Sequence, residues 1–226
     1  HMKKQMETDW IFFDVGGVLM DDSESEEWRK QMVLEVLQNY DSSITRQIID
    51  ESFPQASSFV GNTDDNLIKV IVPDTGEAEK LILEARNRRK GRWSTMQVFA
   101  DRSPFMPDAF QVVKELSQYY KLGIIANQPQ EITERLKIAG MVPYFHHIGI
   151  SAKAGLHKPD PKLFEKILEE TGANPNRSVM IDDNIERGLF PAQKLGMKTV
   201  WFDSGWRTEE VSGKFDLLIG FNKCLF

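Results

Sequence analysis

The sequence predicts an α/β fold: a parallel sheet with helices on both faces, interrupted by an all-helical insert. Three observations carry this. Five short apolar runs, each too brief for a helix, recur along the chain. Four of them, in the second half, alternate with segments of helical periodicity, the pattern of a parallel sheet covered on both sides. Between residue 21 and about residue 104 that alternation stops and only helical stripes remain.

Taken in order, Trp10 to Val15 is the first expected strand, an apolar run closed by glycine. The insert follows, with one helical stripe through Trp28, Met32, Val36 and Leu37, a short apolar piece from Leu67 to Val72, and an amphipathic helix from Glu77 to Arg89. After it come a helix over Pro107 to Tyr120, a strand at LGIIAN (122–127), a weaker helix over Glu131 to Ala139, and a strand at HHIGIS (146–151). The best-marked helix runs from Asp160 to Thr171, where Asp160 is a natural N-cap, Pro161 occupies the first turn and Gly172 follows the last. SVMIDD (178–183) and KTVWFD (198–203) complete the sheet. The expected division is therefore residues 1–20 with 105–226 as the α/β domain, and 21–104 as the helical insert.

With 226 residues and 41% hydrophobic content the chain can bury a full-sized core with room for such an insert. Its formal charge of -6 excludes a nucleic-acid coat, which needs a basic excess over a whole face. One cysteine, Cys224, rules out an intrachain disulfide or thiolate cluster. There is no run of membrane-spanning length, the opening HMKKQMETDW has no signal-peptide core, and His1-Met2 reads as a cloning remnant, so the cytoplasm is the expected location.

In a parallel sheet the functional crevice lies beyond the carboxyl ends of the strands. Asp14, Asn127, Asp182 and Asp183 all fall at such ends, and Lys158 lies in the loop before the Asp160 helix. Converging carboxylates repel unless a cation holds them, and a hard divalent ion, Mg2+ by preference, suits oxygen ligands. The ammonium of Lys158 offsets the same charge. Gly16 and Gly17 let the backbone after Asp14 come close to an anion and offer it N–H groups, which suggests phosphate; read alone, the pair equally fits a tight strand exit.

These residues resemble the haloacid dehalogenase-like (HAD-like) hydrolase superfamily, mostly Mg2+-dependent phosphatases with some dehalogenases and mutases. FDVGGVL, LGIIANQ, GLHKPDPKLFEKIL and VMIDDNIERGLFPAQKLGM match its four motifs in order, over residues 10–20 and about 105–203. The resemblance implies a Rossmann-like core, a helical cap inserted after the first motif, and a small phosphorylated substrate. It implies Asp14 as nucleophile forming an aspartyl-phosphate, Lys158 stabilising nucleophile and transferring group, and Mg2+ bridging phosphate to Asp14 and Asp183, with Asp182 behind the metal and the carbonyl of Gly16 as a further ligand. Gly17, Ala126 and Asn127 would line the phosphate.

Three positions depart from the family pattern. Gly16 stands where most such phosphatases carry an aspartate that acts as general acid and base, a contribution commonly worth ~10²- to 10⁴-fold in rate. Ala126 replaces a hydroxyl residue, and Gly188 replaces a later acid or amide, with Arg187 beside it. The leading expectation is a Mg2+-dependent phosphatase, weak except on substrates with good leaving groups such as acyl or aryl phosphates. The alternatives are a degenerate member that binds metal and anion, and a metal-independent 2-haloacid dehalogenase. The basic run RNRRKGRW (86–93) either guides an anionic substrate or closes a helix whose dipole favours cations. His157 adjoins Lys158; His146 and His147 fall at a strand start; Trp201, Trp206 and Arg207 read as packing and surface.

Overall fold

The computed structural model describes residues 8–92 and 102–203; Trp93, Trp206, Arg207 and Cys224 lie outside the described residues. The chain divides into two compact units, Asp22–Pro104 and the residues on either side of it.

The larger unit is a five-stranded sheet in the order β3-β2-β1-β4-β5, parallel at every pairing. Its strands are β1 (Trp10–Phe13), β2 (Lys121–Ala126), β3 (His147–Ile150), β4 (Ser178–Asp182) and β5 (Lys198–Trp201). β1, β3, β4 and β5 fall inside the runs expected for them and β2 begins one residue earlier, at Lys121; Asp14, Asn127 and Asp183 sit just past the strand ends, and Asp182 is the last residue of β4. Around the sheet lie α5 (Ala109–Leu116), α6 (Ile132–Ile138), α7 (Ser151–Ala154), α8 (Pro161–Thr171) and α9 (Phe190–Lys194).

β1 is central and fully buried, so both its faces must be apolar. Trp10 and Phe12 point into a core with Leu163, Phe164 and Ile167 of α8 and Met180 of β4. On the other face Ile11 and Phe13 are also buried, Phe13 meeting Phe145 edge-on with ring centroids 6.2 Å apart. Gly123 of β2 pairs with Phe12, and a Cβ there would lie 2.6 Å from the Phe12 ring. The neighbouring strand thus makes room for the large side chain. α8 is capped as its sequence predicts: the Asp160 side chain accepts from the Lys162 N–H, Pro161 opens the helix, and Gly172 closes it at φ 65°.

Past β1 the chain turns back on itself, and Met20 forms an antiparallel bridge with Phe105 while the Met106 N–H donates to the Leu19 carbonyl at 2.8 Å. The residues that leave and re-enter this unit are therefore side by side.

The smaller unit contains α1 (Ser23–Tyr40), α2 (Arg46–Ser58), α3 (Thr63–Ile71) and α4 (Thr75–Arg92). Its own core joins Met32, Val36 and Leu37 with Ile49, Phe53, Leu67, Ile68, Leu81 and Ile82. α2 is a helix that the sequence pattern does not announce, since it holds Pro54 and buries few apolar residues, Ile49, Phe53 and Ala56 among them. The Asn66 amide donates to the carbonyls of Ala56, Phe59 and Val60, which fixes the turn between α2 and α3. The basic run is largely paired within the unit: Arg86 with Asp65 at 2.6 Å, Arg89 with Asp64 at 3.0 Å, and Arg88 with Glu84 at 2.5 Å. Among the described residues no helix is long and apolar enough to cross a membrane.

Candidate active site

With β1 between β2 and β4, the carboxyl ends of three adjacent strands deliver Asp14, Asn127 and Asp182 to one edge. Asp14 continues the ladder by donating its N–H to the Ile181 carbonyl at 2.9 Å, which fixes its backbone to β4. Lys158 arrives from the loop before α8 and is almost wholly buried, at 2% exposure. Its Nζ lies 3.0 Å from Asp14 Oδ1 and 2.6 Å from Asp182 Oδ2. A buried ammonium thus sits between two carboxylates.

The partners of each acid separate their parts. Asp182, fully buried, engages both oxygens: Oδ2 takes the Lys158 ammonium, and Oδ1 accepts the Asn184 N–H at 2.8 Å. Asp14 exposes 13% of its side chain, enough to face an incoming ligand. Asp183 is buried against the turn after β1: a Cβ on Gly17 would lie 2.1 Å from its Oδ2. Gly17 also has φ 76°, so this position needs glycine for its backbone conformation and for space.

Burial, helped by the charge of Asp182, pushes the Asp14 carboxyl up to about 7, against the pull of Lys158. Burial opposes the charge on Lys158, but Asp14 and Asp182 outweigh it and hold its pKa above the ordinary lysine value. Carboxylate oxygens of Asp14, Asp182 and Asp183 can be chosen that all lie within 4.8 Å of one another. That donor set, hard oxygens carrying more negative charge than one lysine offsets, fits a small divalent cation. Asp14 and Asp183 would hold it, with Asp182 already engaged by Lys158.

Several expected site residues take a different part from the one the sequence suggests. The Asn127 amide lies not in an open cradle but against the Lys158 main chain: its Nδ2 donates to the Lys158 carbonyl at 3.0 Å and its Oδ1 accepts the Lys158 N–H at 2.8 Å. It clamps the lysine loop to the end of β2. The Gly17 N–H, expected to point at an anion, donates to the Met20 carbonyl at 2.8 Å instead. Gly16 sits at the same turn, opposite Met20, without the positive φ of Gly17. Ala126 ends β2, buried and paired with Ile150. His157 is exposed, and His146 and His147 lie at the amino end of β3, away from the acids, with His146 edge-on to Trp10 and His147 3.2 Å from Glu170.

Two contributors have no signal in the sequence. Asn184 caps the turn after β4, its Oδ1 accepting the Arg187 N–H at 2.9 Å. Trp201, buried at the last pair of the β4–β5 ladder, donates its indole N–H to the Asp183 carbonyl at 3.1 Å. Only the register Asp182↔Trp201 brings that ring there.

Sheet order and site together define a parallel α/β fold that gathers three acids and one lysine on the carboxyl edge of its central strands. The family model described as haloacid dehalogenase-like hydrolase matches residues 8–196, and the chain belongs to that family. It is a hydrolase. Among curated proteins it is 31% identical over 121 residues to phosphoserine phosphatase of Thermus thermophilus, covering 53% of this chain and 49% of that protein. It is 31% identical over 107 residues to the pyrimidine 5'-nucleotidase YjjG of Escherichia coli, covering 46% and 47%. A longer match, 26% identical and covering 86% and 85%, is to glyceraldehyde 3-phosphate phosphatase of Methanothermobacter thermautotrophicus. The chain thus spans about half the length of the first two. Among solved structures, the HAD-hydrolase YfnB of Bacillus subtilis, bound to magnesium, superposes with TM-score 0.63 at 18% identity, covering 94% of each chain. A HAD phosphatase of Thermococcus onnurineus gives TM-score 0.59 at 20% identity, covering 94% and 93%. These share the fold.

Proposed function

We propose that this hydrolase is a Mg2+-dependent phosphatase of small phosphorylated metabolites that works through an aspartyl-phosphate on Asp14. The observation that carries the reading is the Lys158 ammonium, 3.0 Å from Asp14 and 2.6 Å from Asp182, with Asp183 beside them. Asp14, the one acid of the three with an exposed edge, attacks phosphorus; the P–O bond to the leaving group breaks, and the oxygen departs with the electron pair. Lys158 neutralises charge on the attacking carboxylate and the transferred group, and Asp182 and Asn127 hold it in place. Bound Mg2+ would supply Lewis-acid neutralisation of the phosphoryl oxygens at Asp14 and Asp183. Water then attacks the aspartyl-phosphate and releases inorganic phosphate and the free carboxylate. The related phosphatases support phosphoryl substrates, and the aqueous, reducing cytoplasm suits a chain with one cysteine.

Gly16 narrows the substrate class. With no carboxyl at this position to protonate the departing oxygen, turnover favours leaving groups stable as anions, acyl phosphates and aryl phosphates above alkyl phosphates. A phosphoester panel assayed with and without Mg2+ tests the reading. Gly16→Asp, at a position whose backbone has no positive φ, is expected to raise alkyl-phosphate turnover by ~10-fold or more, toward the ~10²- to 10⁴-fold typical of general acid–base catalysis. No hydrolysis of any phosphoester in Mg2+ would favour the binding-only reading, and chloride release from 2-chloropropionate without metal would favour the dehalogenase one.

A further inference from the structure

Arg135 is charged, stands apart from the acids and lysine of the site, and is only 6% exposed. It lies on α6 beside Ile132 and Leu136, both wholly buried, so the inward face of that helix carries a guanidinium into the interior. Its Nη1 donates to Met20 Sδ at 3.7 Å, and its guanidinium carbon lies 5.2 Å from the centre of the Phe105 ring. Burying such a charge is costly unless its neighbours return the loss, and a weakly hydrated guanidinium recovers part of it on an aromatic face and a polarisable sulfur. Those two neighbours are the two sides of one bridge: Met20 pairs with Phe105 where residues 22–104 leave and re-enter the sheet unit.

Met20 also closes the turn that follows Asp14. Its carbonyl accepts the Gly17 N–H at 2.8 Å, its own N–H donates to the Val15 carbonyl at 2.9 Å, and Gly16 forms a bridge with it. From this chain of contacts we infer that Arg135 is a positioning residue for Asp14. The guanidinium latches Met20 to Phe105 from α6, and the latched Met20 keeps the turn from Val15 to Met20 shut. The shut turn holds Asp14 at 3.0 Å from Lys158 Nζ and keeps Gly17 against Asp183. Arg135 acts through Met20 and not on the substrate. A neutral side chain of similar length fills the same space without the grip that the charge supplies. The effect on turnover rests on the phosphatase reading; the latch does not.

The test compares Arg135→Met, which keeps bulk and removes the charge, with Arg135→Lys, which keeps the charge, and with Phe105→Leu, which removes the ring, alongside the double variant Arg135→Met/Phe105→Leu. Two quantities are read: amide hydrogen exchange by NMR in EDTA, and kcat and KM for p-nitrophenyl phosphate in Mg2+. In Arg135→Met the Gly17, Met20 and Met106 amides are expected to exchange ~10-fold faster relative to the ladder amides of β2, the scale of one desolvated cation–π contact. kcat is expected to fall ~10-fold with KM near the wild-type value, short of the ~10²-fold that a 1 Å misplacement can cost. Arg135→Lys should recover most of both losses, and the double variant should fall short of the summed effects of the two single ones. An acceleration shared equally by the β2 amides is a loss of global stability alone and would overturn the positioning role, as would faster exchange with kcat unchanged. Additive single variants, or a lysine no better than methionine, would overturn the latch. If wild type itself hydrolyses nothing, the phosphatase reading fails while the amides still decide the latch. If Arg135→Met does not fold, Phe105→Leu breaks the same contact from its other side and is held to the same amide and kcat outcomes.

Discussion

Replacing Lys158 by methionine keeps most of the side-chain volume and removes the charge between Asp14 and Asp182. The wild-type ammonium is 2% exposed and touches both acids, so its loss leaves two carboxylates in a buried space without a counter-charge. Breaking a buried pair in this way costs about 3–5 kcal/mol. The cost depends on pH, and its sign follows from Asp14. Burial and Asp182 already lift that carboxyl from 3.8 to about 7 in the presence of Lys158. Without the lysine only the upward influences among these remain, so the folded-state value rises further. Between the unfolded value near 4 and the raised folded value, the folded chain holds a proton that the unfolded chain has released. Stability therefore falls as pH rises through this window, which reaches to higher pH in the variant. Urea unfolding in EDTA should show a deficit near the full amount at pH 8 that shrinks toward pH 5, and added Mg2+ should narrow the gap at pH 8. A deficit of equal size at both pH values, or none, would refute the reasoning that Lys158 neutralises this pair.

Gly17→Ala forces an ordinary side chain to φ 76° and places its Cβ 2.1 Å from Asp183 Oδ2; a loss of roughly 2–4 kcal/mol is expected from left-handed strain plus displacement of the acid, with weaker Mg2+ binding by calorimetry. Asn127→Ala removes both hydrogen bonds on the Lys158 main chain, which should cost about 1–3 kcal/mol; it should lower kcat with little effect on KM, whereas a direct phosphate ligand would show chiefly in KM. Trp201→Phe deletes the donor to the Asp183 carbonyl; about 1 kcal/mol of stability and a modest fall in Mg2+ affinity are expected, and unchanged affinity would make the indole a packing residue alone.

β1 and β2 are legible in the sequence because a parallel strand buried on both faces cannot alternate: IFF and GIIA are continuous buried apolar runs followed by a polar residue, and the half-buried β4 still reads as the apolar run VMI ending in two acids. The same logic places Asp14, Asp182 and Asp183 on one edge. α2 escapes because Pro54 reads as a helix stop and its apolar stripe is thin. Within the site, residue identity carries chemistry but not direction. Nothing along the chain says that the Asn127 amide turns to the Lys158 backbone, that the Gly17 N–H turns to Met20, or that Asp182 meets the ammonium. Those choices are set by the register of β1 between β2 and β4 and by the volume left in the turn that follows.

The bridge between Met20 and Phe105 has a consequence for how the chain can change. Because Met20 and Phe105 are neighbours within the sheet unit, residues 22–104 are inserted between two adjacent points of that unit's chain. The entropy of closing a tethered loop grows only with the logarithm of its length, about 0.6 kcal/mol for each doubling. Additions or deletions among the four helices therefore leave the spacing of Asp14 from Lys158 and Asp182 almost untouched. Variation on that side of the bridge is buffered, while a single methyl group at Gly17 is not.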